Sequence, residues 1–199
     1  MTKDTKWEVH LQDLEKDLRT RIGVLRRLSW RFQKHTVIQC FSSIFTSKLN
    51  YSLVPLTDPL RHEAVGDTQC QAIVRLQRLQ NEAIRAALRV KRTDKVSQKE
   101  LLERAKQLPV VDLAKRAHFC LSWNVFSEKG KEKQILQDRV EWGVGERVTR
   151  HSIASKVPSQ RVQGTIVAKL AKAWNSLPED IKHEVDAKKA RDMIKKLFE

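Results

Sequence analysis

Four arginines, Arg75, Arg78, Arg85 and Arg89, recur within one short run of the chain, and Lys91 and Arg92 follow directly. Their separations are of the kind that returns to one face of a helix, so the guanidinium groups should project together. A guanidinium makes paired hydrogen bonds to phosphate, and a row of them can follow a phosphodiester backbone. Glu82 stands in the same row, and the competing account is a solvated helix face on which Glu82 serves as an internal ion-pair partner. A second basic group surrounds an aromatic: Trp30 lies among Arg26, Arg27, Arg31 and Lys34. It could stack on a nucleobase, although packing within a helical hairpin is the more ordinary use of a tryptophan. Trp123, Trp142 and Trp174 read as core residues rather than ligand platforms.

Patterns that would carry catalysis are missing from the sequence. Two-metal phosphoryl transfer needs carboxylates close enough to bridge cations about 4 Å apart, yet no Asp-Asp pair occurs and the acids are dispersed among basic residues. His10, His35, His62, His118, His151 and His183 are scattered. His118 and Cys120, two residues apart on one helix, point to different faces. Gly143-Val144-Gly145 lacks the later glycine and the preceding strand of a phosphate loop, and no Gly-x-Ser-x-Gly elbow is present. The expectation is a protein without catalytic residues, metal or cofactor.

Composition agrees with a binding role. The 199 residues hold 39 Lys and Arg against 24 Asp and Glu, a formal net charge of +15. Every quarter of the chain is net positive, so the folded body rather than a tail is cationic. Such a body attracts polyanions, with nucleic acid the first partner and an anionic membrane face the second. The three cysteines, Cys40, Cys70 and Cys120, are odd in number and widely spaced, which suits buried free thiols in a reducing compartment. Neither a signal-peptide pattern nor a bilayer-length apolar run is found. The reading is an intracellular protein of nucleus or cytoplasm, with no membrane partner.

The elements that would position these residues are helices. Thr5-Lys6-Trp7-Glu8 fits a capping box, and Trp7, Leu11, Leu14, Leu18, Ile22, Leu25 and Leu28 continue as a helical stripe. After a turn over Ser29 to Gln33, a second helix is predicted over about 34–53, with Val37, Ile38, Phe41, Ile44, Phe45 and Leu49 inward. Pro55, Pro59 and Gly66 mark a loop over 54–67. A third helix, about 68–90, has Ile73, Leu76, Leu79, Ala83, Ile84, Ala87 and Leu88 on its apolar side. Ser97-Gln98-Lys99-Glu100 opens a short helix that ends before Pro109, and another spans about 110–126. Residues 127–134 read as an exposed loop and 143–163 as an irregular linker with room for a short strand. Helix resumes over about 165–174, Ser176-Leu177-Pro178-Glu179 is a third capping box, and Asp186 caps a final helix. The fold class is all-α: a helical hairpin or bundle, then a helical C-terminal region joined by the irregular linker.

Two runs, Leu76-Gln77-Arg78-Leu79-Gln80-Asn81-Glu82-Ala83-Ile84-Arg85 and Trp174-Asn175-Ser176-Leu177-Pro178, with two shorter ones, resemble the part of a non-LTR, LINE-type (jockey-like) retrotransposon reverse transcriptase that follows its polymerase core. Leu76-Gln77-Arg78-Leu79-Gln80-Asn81-Glu82-Ala83-Ile84-Arg85 is similar to that family's LQ-x-x-QN-x-A-x-R signature. Trp174-Asn175-Ser176-Leu177-Pro178 is similar to its WN-x-LP ending, here followed by a Lys-rich helix. Trp7-Glu8-Val9-His10 resembles a W-x-x-H step, and Lys48-Leu49-Asn50-Tyr51-Ser52 an S-x-L-x-Y-G step with Ser52 in place of the Gly. The resemblance implies a thumb-like helical domain over 1–108 and a C-terminal helical region over 109–199. A thumb grips the template–primer duplex by its backbone, so Arg78 and Arg85 become candidate backbone contacts, while Gln80 and Asn81 could equally pack or bind.

The fingers and palm, with the metal-binding aspartates, are absent from the sequence, so the resemblance does not bring polymerase activity with it. The expected function is a non-catalytic fragment of an RNA-directed DNA polymerase, from a truncated element, a genomic remnant or a host gene built from one. It would bind RNA or an RNA–DNA hybrid through phosphates, largely independently of sequence. The alternatives are a helical module that meets a protein partner or itself, and a relic without a role.

Overall fold

The structure, a computed structural model, describes residues 3–58, 68–127, 140–142, 153–155 and 166–198. The fold is all-α. Its contacts divide into two compact units, Met1–Leu113 and Ala114–Glu199.

In the first unit, α1 (Lys3–Arg31) buries Leu11, Leu14, Leu18, Ile22 and Leu25 along one stripe, as the periodicity predicts. It is already helical at Lys3, so Thr5 is not its N-cap. The turn that follows is shorter than expected, because α1 runs on to Arg31 and α2 (Lys34–Phe41) begins three residues later. The predicted second helix is a rod in three pieces: α2, one wide π-turn (Ser42–Thr46) and α3 (Ser47–Leu56).

The sequence supplies the reason for the wide turn. Val37, Phe41, Phe45, Leu49 and Leu53 are all buried, and each lies four residues after the last. In a regular α-helix each four-residue step overshoots a full turn by about 40°, so the stripe would wind away from the core. The π-turn, in which Ser47 N–H reaches back five residues to Ser42 O, takes up part of that drift. Phe41 and Phe45 then stack with ring centroids 5.2 Å apart. Arg21 donates to Ile44 O within the wide turn (2.8 Å), and Lys48 pairs with Asp17 (3.2 Å). These crossings run 17 to 48 and 21 to 44, so the rod is antiparallel to α1. Pro55 is tolerated in the last turn of α3, beyond the predicted helix end. Of the predicted loop 54–67, residues 59–67 lie outside the described residues.

α4 (Thr68–Leu88) packs against both α1 and α2. It stops because Arg89 adopts the left-handed conformation (φ 59°), with Val90 N–H bonding back to Arg85 O (3.0 Å). α5 (Gln98–Ala105) starts as predicted, the Ser97 hydroxyl accepting from Glu100 N–H (3.2 Å). It ends at Lys106, a second left-handed non-glycine residue (φ 51°). α6 (Val110–Phe126) has the predicted bounds.

In the second unit, Trp123, Val125, Phe126, Leu170, Trp174, Leu177 and Ile181 are buried. Trp123 Nε1–H donates to Ile181 O (3.0 Å), and Phe126 meets Trp174 edge-on at 6.0 Å. Ser127 is buried, so the predicted exposed loop does not begin there. β1 (Val140–Trp142) pairs antiparallel with β2 (Ile153–Ser155), Val140 opposite Ser155. β2 falls inside the predicted linker 143–163, whose other residues lie outside the described ones, and it packs on α7 (Ile166–Ser176). The third capping box is corrected: Ser176 is still helical and its hydroxyl donates back to Lys172 O (2.9 Å). Pro178 takes the N-cap position of α8 (Glu179–Lys182) instead. α9 (Ala187–Lys196) is capped by Asp186 as expected, Oδ1 accepting from Lys188 N–H (2.8 Å). No helix among the described residues is long and apolar enough to cross a membrane.

Candidate functional site

The first unit places α1 and α4 side by side. Arg75 bonds Glu8 and Glu15, Glu82 pairs with Arg26, and Arg89 reaches Phe32 O (2.9 Å). Partners advance along both helices together, so α1 and α4 run in the same direction. Between them lies a groove of about 660 Å³, lined by Arg19 and Arg26 from α1, by Arg75, Arg78 and Arg85 from α4, and by Arg92 from the loop beyond. Six arginines face two lining glutamates, Glu15 and Glu82, which leaves a net charge of +4.

The six predicted basic residues take different roles. Arg75 is half-buried and held by Glu15 Oε1 and Glu8 Oε1, each at 2.6 Å. These bonds raise its pKa, and in return Arg75, with Gln12, holds the Glu8 carboxyl below its ordinary range. Its charge is thus already answered within the protein. Arg78 is exposed in the groove and has no partner among the described residues. Arg85 lines the groove, yet its guanidinium is turned onto loop carbonyls: Nη1 donates to Lys91 O (2.9 Å) and Asp94 O (3.4 Å), Nη2 to Val96 O (2.8 Å). That arrangement fixes the loop while leaving the arginine's charge uncompensated. Arg89 drops out of the expected row, because its left-handed backbone turns it off the helix face toward Phe32 O. Lys91 is exposed on the loop, where its backbone N–H donates to Asp94 Oδ2 (2.8 Å) and its side chain does not line the groove. Arg92 is exposed, lines the groove and has no partner among the described residues.

Arg19, and Arg26 as a groove residue, were not legible as a site in the sequence. The available signal was their seven-residue separation, which places both about 90° around α1 from its leucine stripe. Arg19, like Arg78, is exposed without a partner among the described residues.

The Gln-Asn pair packs. Gln80 is fully buried: its Nε2 donates to Leu108 O (2.9 Å) and its Oε1 accepts from Gln77 Nε2 (2.8 Å). Gln77 Nε2 also donates to Asn81 Oδ1 (2.9 Å), and Gln77 Oε1 accepts from Val110 N–H (2.8 Å). Asn81 in turn donates to Gln98 Oε1 (3.2 Å). This amide ladder joins α4 to the start of α5 and to the entry of α6, satisfying groups that would be costly if left bare.

The other motif residues lie apart from the groove. Trp7's side chain lies outside those described. His10 is exposed on α1, and Tyr51 is 86% exposed on α3. Trp174 and Leu177 are core residues of the second unit, Asn175 is exposed, and Pro178 caps α8. Cys40 and Cys120 are free thiols, half-buried rather than buried, and burial pushes the Cys120 thiol up. Cys70's side chain lies outside the described set. No family model, curated protein or solved structure matches the chain.

Proposed function

We propose that this chain is a nucleic-acid-binding module that holds phosphates in the groove between α1 and α4 and performs no catalysis itself. The observation that carries the reading is the net +4 lining of that groove, in which Arg19, Arg78 and Arg92 have no partner among the described residues and Arg85 keeps an uncompensated charge. Guanidinium groups not committed to carboxylates are available to phosphate oxygens. No base-reading element accompanies them among the described residues; recognition runs through the backbone and is largely independent of sequence. The resemblance of residues 76–85 and 174–178 to a LINE-type reverse transcriptase supports a retroelement lineage and an RNA–DNA hybrid or RNA as ligand, met in nucleus or cytoplasm.

The test is a salt titration of binding to a labelled RNA–DNA hybrid, with single-stranded RNA and duplex DNA alongside. Binding at low salt that falls linearly on a log–log plot supports the reading. Absence of binding at low salt would make the charge incidental and favour a protein-docking role.

A further inference from the structure

Trp30 is 84% exposed at the end of α1, so it packs neither in the core nor in the hairpin. A tryptophan left in water forgoes a large apolar stabilisation, and its surroundings indicate what would cover it. At 100° per residue, Glu15, Arg19, Arg26 and Trp30 fall within roughly 60° of one another around α1. Glu15, Arg19 and Arg26 line the groove, so Trp30 continues the same helix face one turn past Arg26. Arg27, Arg31 and Lys34 around it are exposed, and Arg89 bonds the Phe32 carbonyl two residues on. That bond ties this corner to the end of α4, where Val90 and Arg92 close the groove. An apolar protein partner would have to cover this dense positive charge, whereas a nucleotide brings a π-face together with its own phosphate.

We infer that Trp30 is a stacking platform for an unpaired nucleobase of a strand whose phosphates lie in the α1–α4 groove. The inference rests on the phosphate-binding reading and extends it: the preferred ligand carries a single-stranded segment or a frayed end rather than a fully paired duplex. Stacking on an aromatic tolerates any base, since each has a π-face. The site therefore adds affinity for bases without adding sequence preference.

The test is fluorescence anisotropy of the full chain with a labelled single-stranded oligonucleotide, and with an abasic strand of equal length and charge, across a salt series. Wild type should bind the base-bearing strand about tenfold more tightly than the abasic one. Trp30→Ala should bind both alike, and Trp30→Phe should keep part of the difference, with the salt slope the same in all three proteins. Equal binding of both strands by wild type, with a steep slope retained, would overturn the stacking platform and leave the groove intact. Failure of both strands to bind at low salt would overturn both readings. Trp30-dependent self-association in sedimentation velocity would also overturn the inference, by assigning the aromatic to a second copy of the chain.

Discussion

Replacing Arg19, Arg78 and Arg92 together with glutamine should flatten the salt dependence of duplex binding while leaving the fold unchanged. These three line the groove and have no partner among the described residues, so neutralising them breaks no ion pair. Arg75 and Arg26 are committed to carboxylates, which leaves four uncompensated charges including Arg85. Each phosphate neutralised on a B-form duplex contributes about −0.9 to the slope of log K against log salt, so four charges give a slope of about −3.6. Between about 50 and 200 mM salt that is roughly a 150-fold loss of affinity, against about 3.5-fold for the single charge left in the triple variant. Charge elsewhere on the body adds to both proteins alike, so the difference in slope, about 2.7, is the quantity to read. The assay is anisotropy with one duplex DNA across the salt series, with far-UV circular dichroism and a thermal melt to confirm the fold. A matched control neutralises Lys188, Arg191 and Lys196, exposed on α9. An unchanged slope in the groove variant, or an equal loss in the control, would refute the groove and assign binding to diffuse charge.

Four further outcomes follow from the same geometry. Arg85→Lys should cost about 2 kcal/mol in urea unfolding, because one ammonium cannot span the three carbonyls that the guanidinium bridges, and amides 90–96 should exchange faster. Gln80→Leu should cost about 2 kcal/mol, since it strips Leu108 O and Gln77 of buried partners; a near-neutral result would mean the amide ladder contributes nothing to stability. Gly23→Ala should stabilise by about 0.5–1 kcal/mol, as Gly23 lies inside α1 and an added Cβ meets nothing within 4 Å. Glu8 is held below its ordinary 4.5, first by Arg75 and then by Gln12. Its contribution is therefore present above that value and disappears as pH falls through the lower folded value. Urea midpoints of wild type should drop across that acid window, and Glu8→Gln should lose that share of the drop.

Local signals were the legible part of this molecule. The bounds of α6, the Ser97 and Asp186 caps and the leucine stripe of α1 follow from residues within a few positions of one another, and the sequence carries that information directly. The misreadings turn on competition or distance. Ser176 looks like a cap, yet its hydroxyl has a carbonyl one turn back within reach. Arg89 continues the arginine row by count, but a left-handed residue ends the helix just before the row completes. Arg75 carried a phosphate assignment because its counter-ions, Glu8 and Glu15, lie on another helix some sixty residues earlier. Gln80 and Asn81 are not assignable to packing or binding from sequence because their distant partners lie beyond α4, Leu108 O in the connection between α5 and α6 and Gln98 at the start of α5. The arginine-bearing face of α4 was visible in the sequence; its opposing wall, Arg19 and Arg26, depends on α1 lying parallel to it.

The wide turn at Ser42–Thr46 bears on how this chain could change length. A single π-turn holds one residue more than the hydrophobic face counts, so the rod has a surplus position. Deleting Ser43 would turn the segment into ordinary α-helix and leave Val37, Phe41, Leu49 and Leu53 near one line, now with a mean spacing close to 3.75 residues. Deleting a residue elsewhere in α2 or α3 would swing everything beyond it about 100° around the axis. The rod thus has one place where its residue count can fall by one without its inner face moving, and a one-residue deletion accepted by this fold should be found there.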